Sequence, residues 1–552
     1  MHSAKKIFSI SLLGSMVMAC SSIDIPHPIA AEQMAIRAQK VQHKQRVAST
    51  IRPEGARAPI ATFVTPAPVI ESWQPVTNTE KYQKNEVNPV HRVADQAIST
   101  FSIDVDTGSY TNTRRYLNDG RLPPIDAVRA EEMINYFDYQ YPQPTGVHPF
   151  SISTETIDSP WKEHAKLIKI GIQAKYLVAK QLPPVNLVFL VDVSGSMNEP
   201  NKLPLVKQTL RLLTEQLRSQ DKVTIITYAS GEKLVLESTA GDQKDKILRV
   251  INELQAGGST AGEQAIHLAY QQAQKAFVQN GINRILLATD GDFNVGITDF
   301  STLKGIVAEK RKSGISLTTL GFGTGNYNEQ LMEQLADAGD GNYSYIDNKN
   351  EAKKVLQRQL SSTLATVAQD VKIQVEFNPA TVKEYRLVGY ENRMLKQEDF
   401  NNDKVDAGDI GAGHSVTALY EIIPAGQQGW LNDSRYQPVA QTNPKTSSNQ
   451  KSEYAYVNVR YKLPNQDKSI LLSQPVSVVS KALSQASHDS RFAVAVAAYA
   501  QQLKGGQYNG TMGWNQIIQL AQQSAQPDPY QMREEFMELA KIAKSLSAKK
   551  EE

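Results

Sequence analysis

Val185-Asn186-Leu187-Val188-Phe189-Leu190-Val191-Asp192-Val193-Ser194-Gly195-Ser196 is the stretch on which the fold turns. From Val185 to Val191 it is apolar except at Asn186, the pattern of a strand covered on both faces. The run ends on an aspartate and two small hydroxyl residues, which reads as a strand-to-helix turn. A helix is expected next, because Val206, Leu210, Leu213 and Leu217 share one face. The alternation then continues with a strand at Val223 to Tyr228, a helix from Asp242, and another helix grouping Ile266, Ala269, Tyr270, Ala273 and Phe277. A strand at Arg284 to Thr289, a helix around Leu303 to Lys312, a strand at Ile315 to Phe322 and a helix after Tyr327 complete it. Repeated β–α units imply a mostly parallel sheet flanked by helices.

Three loops of this region carry oxygen-bearing side chains. Asp192-Val193-Ser194-Gly195-Ser196 ends the first strand, Gly257-Gly258-Ser259-Thr260 precedes a helix, and Thr289-Asp290-Gly291-Asp292 ends another buried strand. In a doubly wound sheet, ligands collect outside the carboxyl ends of the strands. Asp192 and Asp290 both fall at such ends, and Thr260 enters from a helix start. Hydroxyls and carboxylates without His or Cys are hard ligands, suited to Mg²⁺, Mn²⁺ or Ca²⁺ rather than zinc.

With these three loops in this order, the region Val185 to Val367 resembles the von Willebrand factor A (VWA) domain and its metal-ion-dependent adhesion site. The resemblance implies that Ser194 and Ser196 ligate the ion directly, with Thr260 direct or through water. It places Asp192 and Asp290 mostly behind waters, where they set the charge. It also implies an open position on the ion, into which a protein partner inserts an Asp or Glu carboxylate. Asp292 is an added carboxylate nearby. The stretch Phe101 to Tyr141, Leu287 to Gly296 and Asp406-Ala407-Gly408-Asp409-Ile410-Gly411 further resemble a bacterial lipoprotein family in which a VWA domain sits between an N-terminal extension and a C-terminal domain.

Outside residues 185–367 the pattern is of short alternating strands. Phe101 to Asp106, Phe150 to Ile157 and Lys166 to Ile172 precede the α/β region; Val371 to Phe377, Val416 to Ile423 and Tyr454 to Tyr461 follow it. A helical run opening at Pro123-Pro124 carries Val128, Met133, Ile134 and Phe137. The expected fold class is α/β: a Rossmann-like, doubly wound VWA domain inserted in a flanking β-sandwich, with C-terminal helices. The expected domains are an N-terminal extension at 93–184, the VWA domain at 185–367, a β-rich domain at 368–475 and a helical region at 476–552. The apolar run Phe492 to Ala500 is too short to span a bilayer and reads as a buried helix.

At the N-terminus, Lys5 and Lys6 precede an uncharged apolar run, Ile7 to Ala19, and Cys20, the single cysteine of the 552 residues, follows at its end. A positive start, a short apolar core and small residues read as an export signal at 1–19. Val17-Met18-Ala19-Cys20 resembles a bacterial lipobox, which implies acylation of Cys20, palmitate included. Ser21 and Ser22 after it imply the outer membrane, facing the periplasm or the surface. Residues 20–92, rich in proline and in Lys and Arg, read as a tether. A solvated linker explains their basicity better than attraction to anionic lipid.

Lys plus Arg number 59 against 57 Asp plus Glu, which gives no footprint for nucleic acid. One cysteine excludes internal disulfides and Cys-based zinc sites. Neither H-E-x-x-H nor a Walker A sequence occurs. Gly257-Gly258-Ser259-Thr260-Ala261 misses the nucleophile elbow at its last residue, and Gly321-Phe322-Gly323-Thr324-Gly325 lacks dinucleotide-loop spacing and reads as a tight turn. The expectation is therefore no enzyme and no nucleotide. It is a lipid-anchored cell-envelope protein that binds a protein partner through Mg²⁺, with Mn²⁺ or Ca²⁺ as substitutes. The alternative is an assembly or scaffold subunit with a structural or vestigial metal site; an envelope hydrolase ranks last.

Overall fold

In the computed structural model, residues 80–84, 86–177, 182–259, 262–291, 300–325, 327–405, 407–432, 451–464, 466–524, 526, 528 and 531–551 are described. The expectations for the export signal, Cys20, Thr260, Asp292 and Asp406 fall outside them. Among the described residues no helix is long and apolar enough to cross a membrane.

The chain begins with β1 (His91–Arg92), β2 (Ile98–Ser102), α1 (Gly108–Asn118), α2 (Ala130–Asn135), β3 (Phe150–Asp158) and β4 (Lys166–Ala174). The α/β region follows as β5 (Val185–Asp192), α3 (Leu203–Gln216), β6 (Lys222–Tyr228), β7 (Glu232–Ala240), α4 (Lys244–Glu253), α5 (Glu263–Lys275) and β8 (Ile282–Thr289). It closes with α6 (Phe300–Lys310), β9 (Ser316–Gly321), α7 (Glu329–Ala338), β10 (Tyr343–Tyr345) and α8 (Lys349–Leu364). Then come β11 (Thr366–Phe377), β12 (Val382–Val388), β13 (Gly408–Gly411), β14 (Ser415–Pro424), β15 (Glu453–Lys462) and β16 (Ser469–Ser477). The helices α9 (His488–Leu503), α10 (Trp514–Gln522) and α11 (Met532–Glu551) end the chain.

The α/β sheet has the order β10-β9-β8-β5-β6-β7, parallel except for β7 against β6. Every residue of β5 is buried, because this strand lies at the centre with helices on both sides. Its period of two divides the side chains: Val185, Leu187, Phe189 and Val191 face the core shared with α3 and α4, whereas Val188 and Leu190 face that of α5, α6 and α7. Each such side chain contributes about 1.5–3 kcal/mol by leaving water. Pro204, in the first turn of α3, supplies a pre-set φ where no intrahelical donor is needed. The sequence reading omits β7, and it places Phe277 on a helix that ends at Lys275. Phe277 is in fact partly exposed beyond the helix end.

The flanking strands come from both sides of the α/β region and pair with each other. One sheet has the order β1-β12-β14-β4-β3, and the other β13-β11-β15-β16 with β2 on β11. Ile98 to Ser102 thus pairs with Lys372 to Glu376, and Lys166 to Gln173 with Ser415 to Ile422. The two sheets bury one core, in which Ile168, Ile170 and Ile172 of β4 meet Ile373 and Val375 of β11. The strand β16 runs to Ser477 and the first C-terminal helix starts only at His488, so the segment expected to be helical from 476 begins as sheet. The helical run after Pro124 shrinks to a 3₁₀ turn and the short α2, because Val128 breaks the run with extended backbone. Packing reaches back into the expected tether: the Glu80 carboxylate accepts from Arg115, Tyr116 and the Gly325 amide.

The helices α1 and α2 pack on α9 to α11, where Phe137, Phe492, Tyr499 and Phe536 share one apolar core. Phe492 to Ala500 is wholly buried there. Buried arginines tie these segments to the α/β region. Arg129 donates to Glu132, Glu329 and Glu333, and Arg114 donates to Asp347, Glu351 and Glu535.

Candidate metal centre

The carboxyl ends of β5, β6 and β8 meet at one edge of the sheet, and the expected ligands lie there. The chain leaves β5 into α3 on one face and leaves β8 into α6 on the other, so the gap between these two strands is the switch point where α/β sheets hold ligands. Asp192, the last residue of β5, is fully buried. Its Oδ1 accepts from the Ser194 amide at 2.9 Å, and its Oδ2 accepts from Thr289 Oγ1 at 2.8 Å and Tyr228 Oη at 3.3 Å. The carboxylate is thus held in the turn. Burial pushes its pKa up to about 6, against the hydrogen bonds from Ser194 and Thr289, with the Asp290 charge adding to the rise. A buried carboxylate so placed is stabilised by a cation beside it.

Ser194 and Ser196 bring their hydroxyls to 3.1 Å of each other. Ser194 is buried and Ser196 exposed, so the pair spans the mouth of the site. Gly195 donates its amide to the Gly258 carbonyl at 2.9 Å, which draws the loop of Gly257 to Ser259 against the first turn. Gly258 has φ +89°, and a Cβ there would lie 2.5 Å from Ser230 Oγ, so this close approach requires glycine. Thr260, two residues on, lies outside the described residues. Asp290, directly after β8, is fully buried. Its Oδ2 accepts from Lys202 Nζ at 3.0 Å.

The structure therefore brings Asp192, Ser194, Ser196 and Asp290 to one edge. The donor set, two hydroxyls over two buried carboxylates, fits a hard divalent ion. Ser194 and Ser196 would hold it directly, with Asp192 and Asp290 supplying the negative charge behind. Sequence reasoning missed Tyr228, Thr289 and Lys202. Tyr228 had a signal, since parallel pairing sets it opposite Asp192; Thr289 lay inside a quoted motif without a role; Lys202 had none.

A second carboxylate group has another explanation. Asp104, Asp106 and Asp337 bring ligand atoms within 4.8 Å of one another. Arg393 forms ion pairs with all three, at 3.1, 2.9 and 2.9 Å, so a guanidinium already balances their charge.

Comparison with known proteins agrees with the α/β fold. The von Willebrand factor type A domain family matches residues 186–359, a family described as von Willebrand factor matches 76–169, and "Uncharacterized protein YfbK, C-terminal" matches 362–546. "Uncharacterized protein YfbK" of Escherichia coli (strain K12) is 47% identical over 472 residues, covering 84% of this chain and 81% of its own. The chain belongs to the YfbK family. A Synechocystis relative, "Uncharacterized protein sll0103", is 30% identical over 216 residues, 39% of this chain and 50% of that one. Among solved structures, a von Willebrand factor type A protein from Catenulispora acidiphila is 16% identical, with a TM-score of 0.38, covering 70% of this chain and 89% of that one. VWA domains commonly bind a metal in a metal-ion-dependent adhesion site and commonly mediate protein interactions.

Proposed function

We propose that this YfbK-family protein is a lipid-anchored component of the cell envelope, not an enzyme. In this reading it grips a protein partner through Mg²⁺ at Asp192, Ser194, Ser196, Thr260 and Asp290. The observation that carries the reading is the pair of hydroxyls, Ser194 and Ser196, 3.1 Å apart beside the fully buried Asp192 and Asp290. Neutral direct ligands leave a bound ion strongly positive, and Mg²⁺ keeps waters that an outside group can replace. A partner's Asp or Glu carboxylate replaces one of them, so capture depends on the cation. Acylated Cys20 holds the protein to the outer membrane, where two or more chains give stable anchoring.

Calorimetric titration of the full chain in detergent with Mg²⁺ and Mn²⁺, beside Asp192→Ala, tests the centre. Saturable binding in the wild type is expected to vanish in the variant, with the circular dichroism unchanged. A wild-type chain that takes up neither ion refutes the reading. Cys20→Ser is expected to move the protein from the membrane to the soluble envelope fraction; retention at the membrane refutes the anchor.

One observation favours the alternative, a scaffold subunit with a vestigial site: the Lys202 amine already contacts Asp290. The next experiment separates the two.

A further inference from the structure

Lys202 is six residues past the last serine of the motif and caps the N-terminus of α3. Its backbone is fixed on both sides: the amide donates to Glu199 at 3.0 Å and the carbonyl accepts from the Val206 amide at 2.9 Å. The side chain is buried. It runs against Gly323 in the loop after β9, where a Cβ would come within 2.4 Å of Lys202 Cε and 2.5 Å of its Cγ. Gly323 has φ +77°, a conformation that suits glycine, so the loop leaves a channel for the lysine stem. The channel ends at Asp290, one of the two carboxylates of the metal centre.

Charge explains why an amine belongs there. Asp192 and Asp290 are both fully buried, and two ionised carboxylates at one strand edge need a counter-ion. Among the described residues, Lys202 supplies a cation at Asp290. A divalent ion that draws on Asp290 competes with that ammonium for the same carboxylate, and like charges sharing one counter-ion repel where water is scarce.

We propose that Lys202 is a tethered cation that latches Asp290 while metal is absent and is displaced from it when Mg²⁺ binds, so that the lysine lowers the metal affinity of the site. This rests on the reading of the edge as a Mg²⁺ centre. It adds a residue outside the motif that sets how much metal the site needs. The latch therefore shifts capture of the partner to a higher metal concentration than the motif alone dictates.

The test compares wild type, Lys202→Gln and Lys202→Met as full chains in Mn²⁺ titrations by calorimetry, with thermal unfolding in EDTA and in saturating Mn²⁺. Both variants are expected to bind Mn²⁺ at least tenfold more tightly than wild type. They are also expected to unfold at lower temperature in EDTA, with the deficit removed by Mn²⁺. Binding by the variants with none by wild type overturns the displacement, because metal then never dislodges the native lysine. Wild-type binding that the variants match or fall below overturns the latch and leaves the metal centre standing. No binding by any of the three overturns both. Should the variants fail to fold, reductive methylation of the wild-type chain, read at Lys202 by mass spectrometry, replaces them. Labelling is expected to rise several-fold when Mn²⁺ is added to the EDTA-treated protein, and an unchanged rate overturns the proposal.

Discussion

Arg129→Ala is expected to destabilise the protein by about 3–5 kcal/mol, the cost of removing one partner from a buried ion-pair cluster. Arg129 Nη1 donates to Glu132 at 2.6 Å and to Glu333 at 2.8 Å, and Nη2 donates to Glu329 at 3.0 Å. The three carboxylates are at most 2% exposed. Glu333 keeps Arg393 and Asn392 as donors, and Glu329 keeps Asn112. The variant nevertheless leaves more negative charge in the interior than the remaining donors offset. Its deficit should depend on pH. Burial already raises Glu329 to about 8, despite the attraction of Arg129. Because the folded value lies above the unfolded one, folding favours the protonated acid, and that contribution is lost as pH rises from about 4.5 towards 8. Without Arg129 the rise is larger, so the deficit should be greater at pH 8 than at pH 5. Urea unfolding at the two pH values checks this. A loss below about 1 kcal/mol at pH 8, the scale of an exposed pair, would mean that the cluster is hydrated.

The same cluster shows where the sequence stopped being legible. The continuous apolar run of β5 announces a central strand, and the loops after β5 and β8 announce a site, because both are local patterns. The pairing of Ile98–Ser102 with β11 is not local: the partners are more than 250 residues apart, and nothing in either strand encodes the register. The helix α1 was missed for a different reason. Gly108 to Leu117 is buried along its whole length, yet it reads Gly-Ser-Tyr-Thr-Asn-Thr-Arg-Arg-Tyr-Leu, without an apolar stripe. Its interior positions are filled by polar groups whose partners lie far off in sequence, Asn112 on Glu329 and Arg114 on Asp347. Hydrophobic periodicity finds helices that bury apolar surface. It is silent on a helix that buries paired charge, and for the same reason it was silent on Lys202.

Phe492→Ala is expected to cost about 3–5 kcal/mol, the range for removing a large aromatic side chain from a packed core. The ring is fully buried, with its centroid 4.9 Å from that of Phe137, 5.5 Å from that of Phe536, and the Arg533 guanidinium 4.3 Å over it. Phe137 comes from the turn after α2, Phe492 from α9 and Phe536 from α11, so the cavity opens between segments at opposite ends of the described chain. Loosening should therefore appear at both ends together. Limited proteolysis at increasing temperature is expected to cut near α1–α2 and near α9–α11 in the same step, at a lower temperature than in wild type. Mn²⁺ affinity below that step should stay within about twofold, because α9 adds no side chain to the strand edge and distant, independent sites act additively. Early cutting of α9–α11 with α1–α2 still protected would refute the shared core. A parallel loss of metal affinity would mean that the C-terminal helices set the geometry of the Asp192 turn, although no hydrogen bond or ion pair among the described residues joins the two.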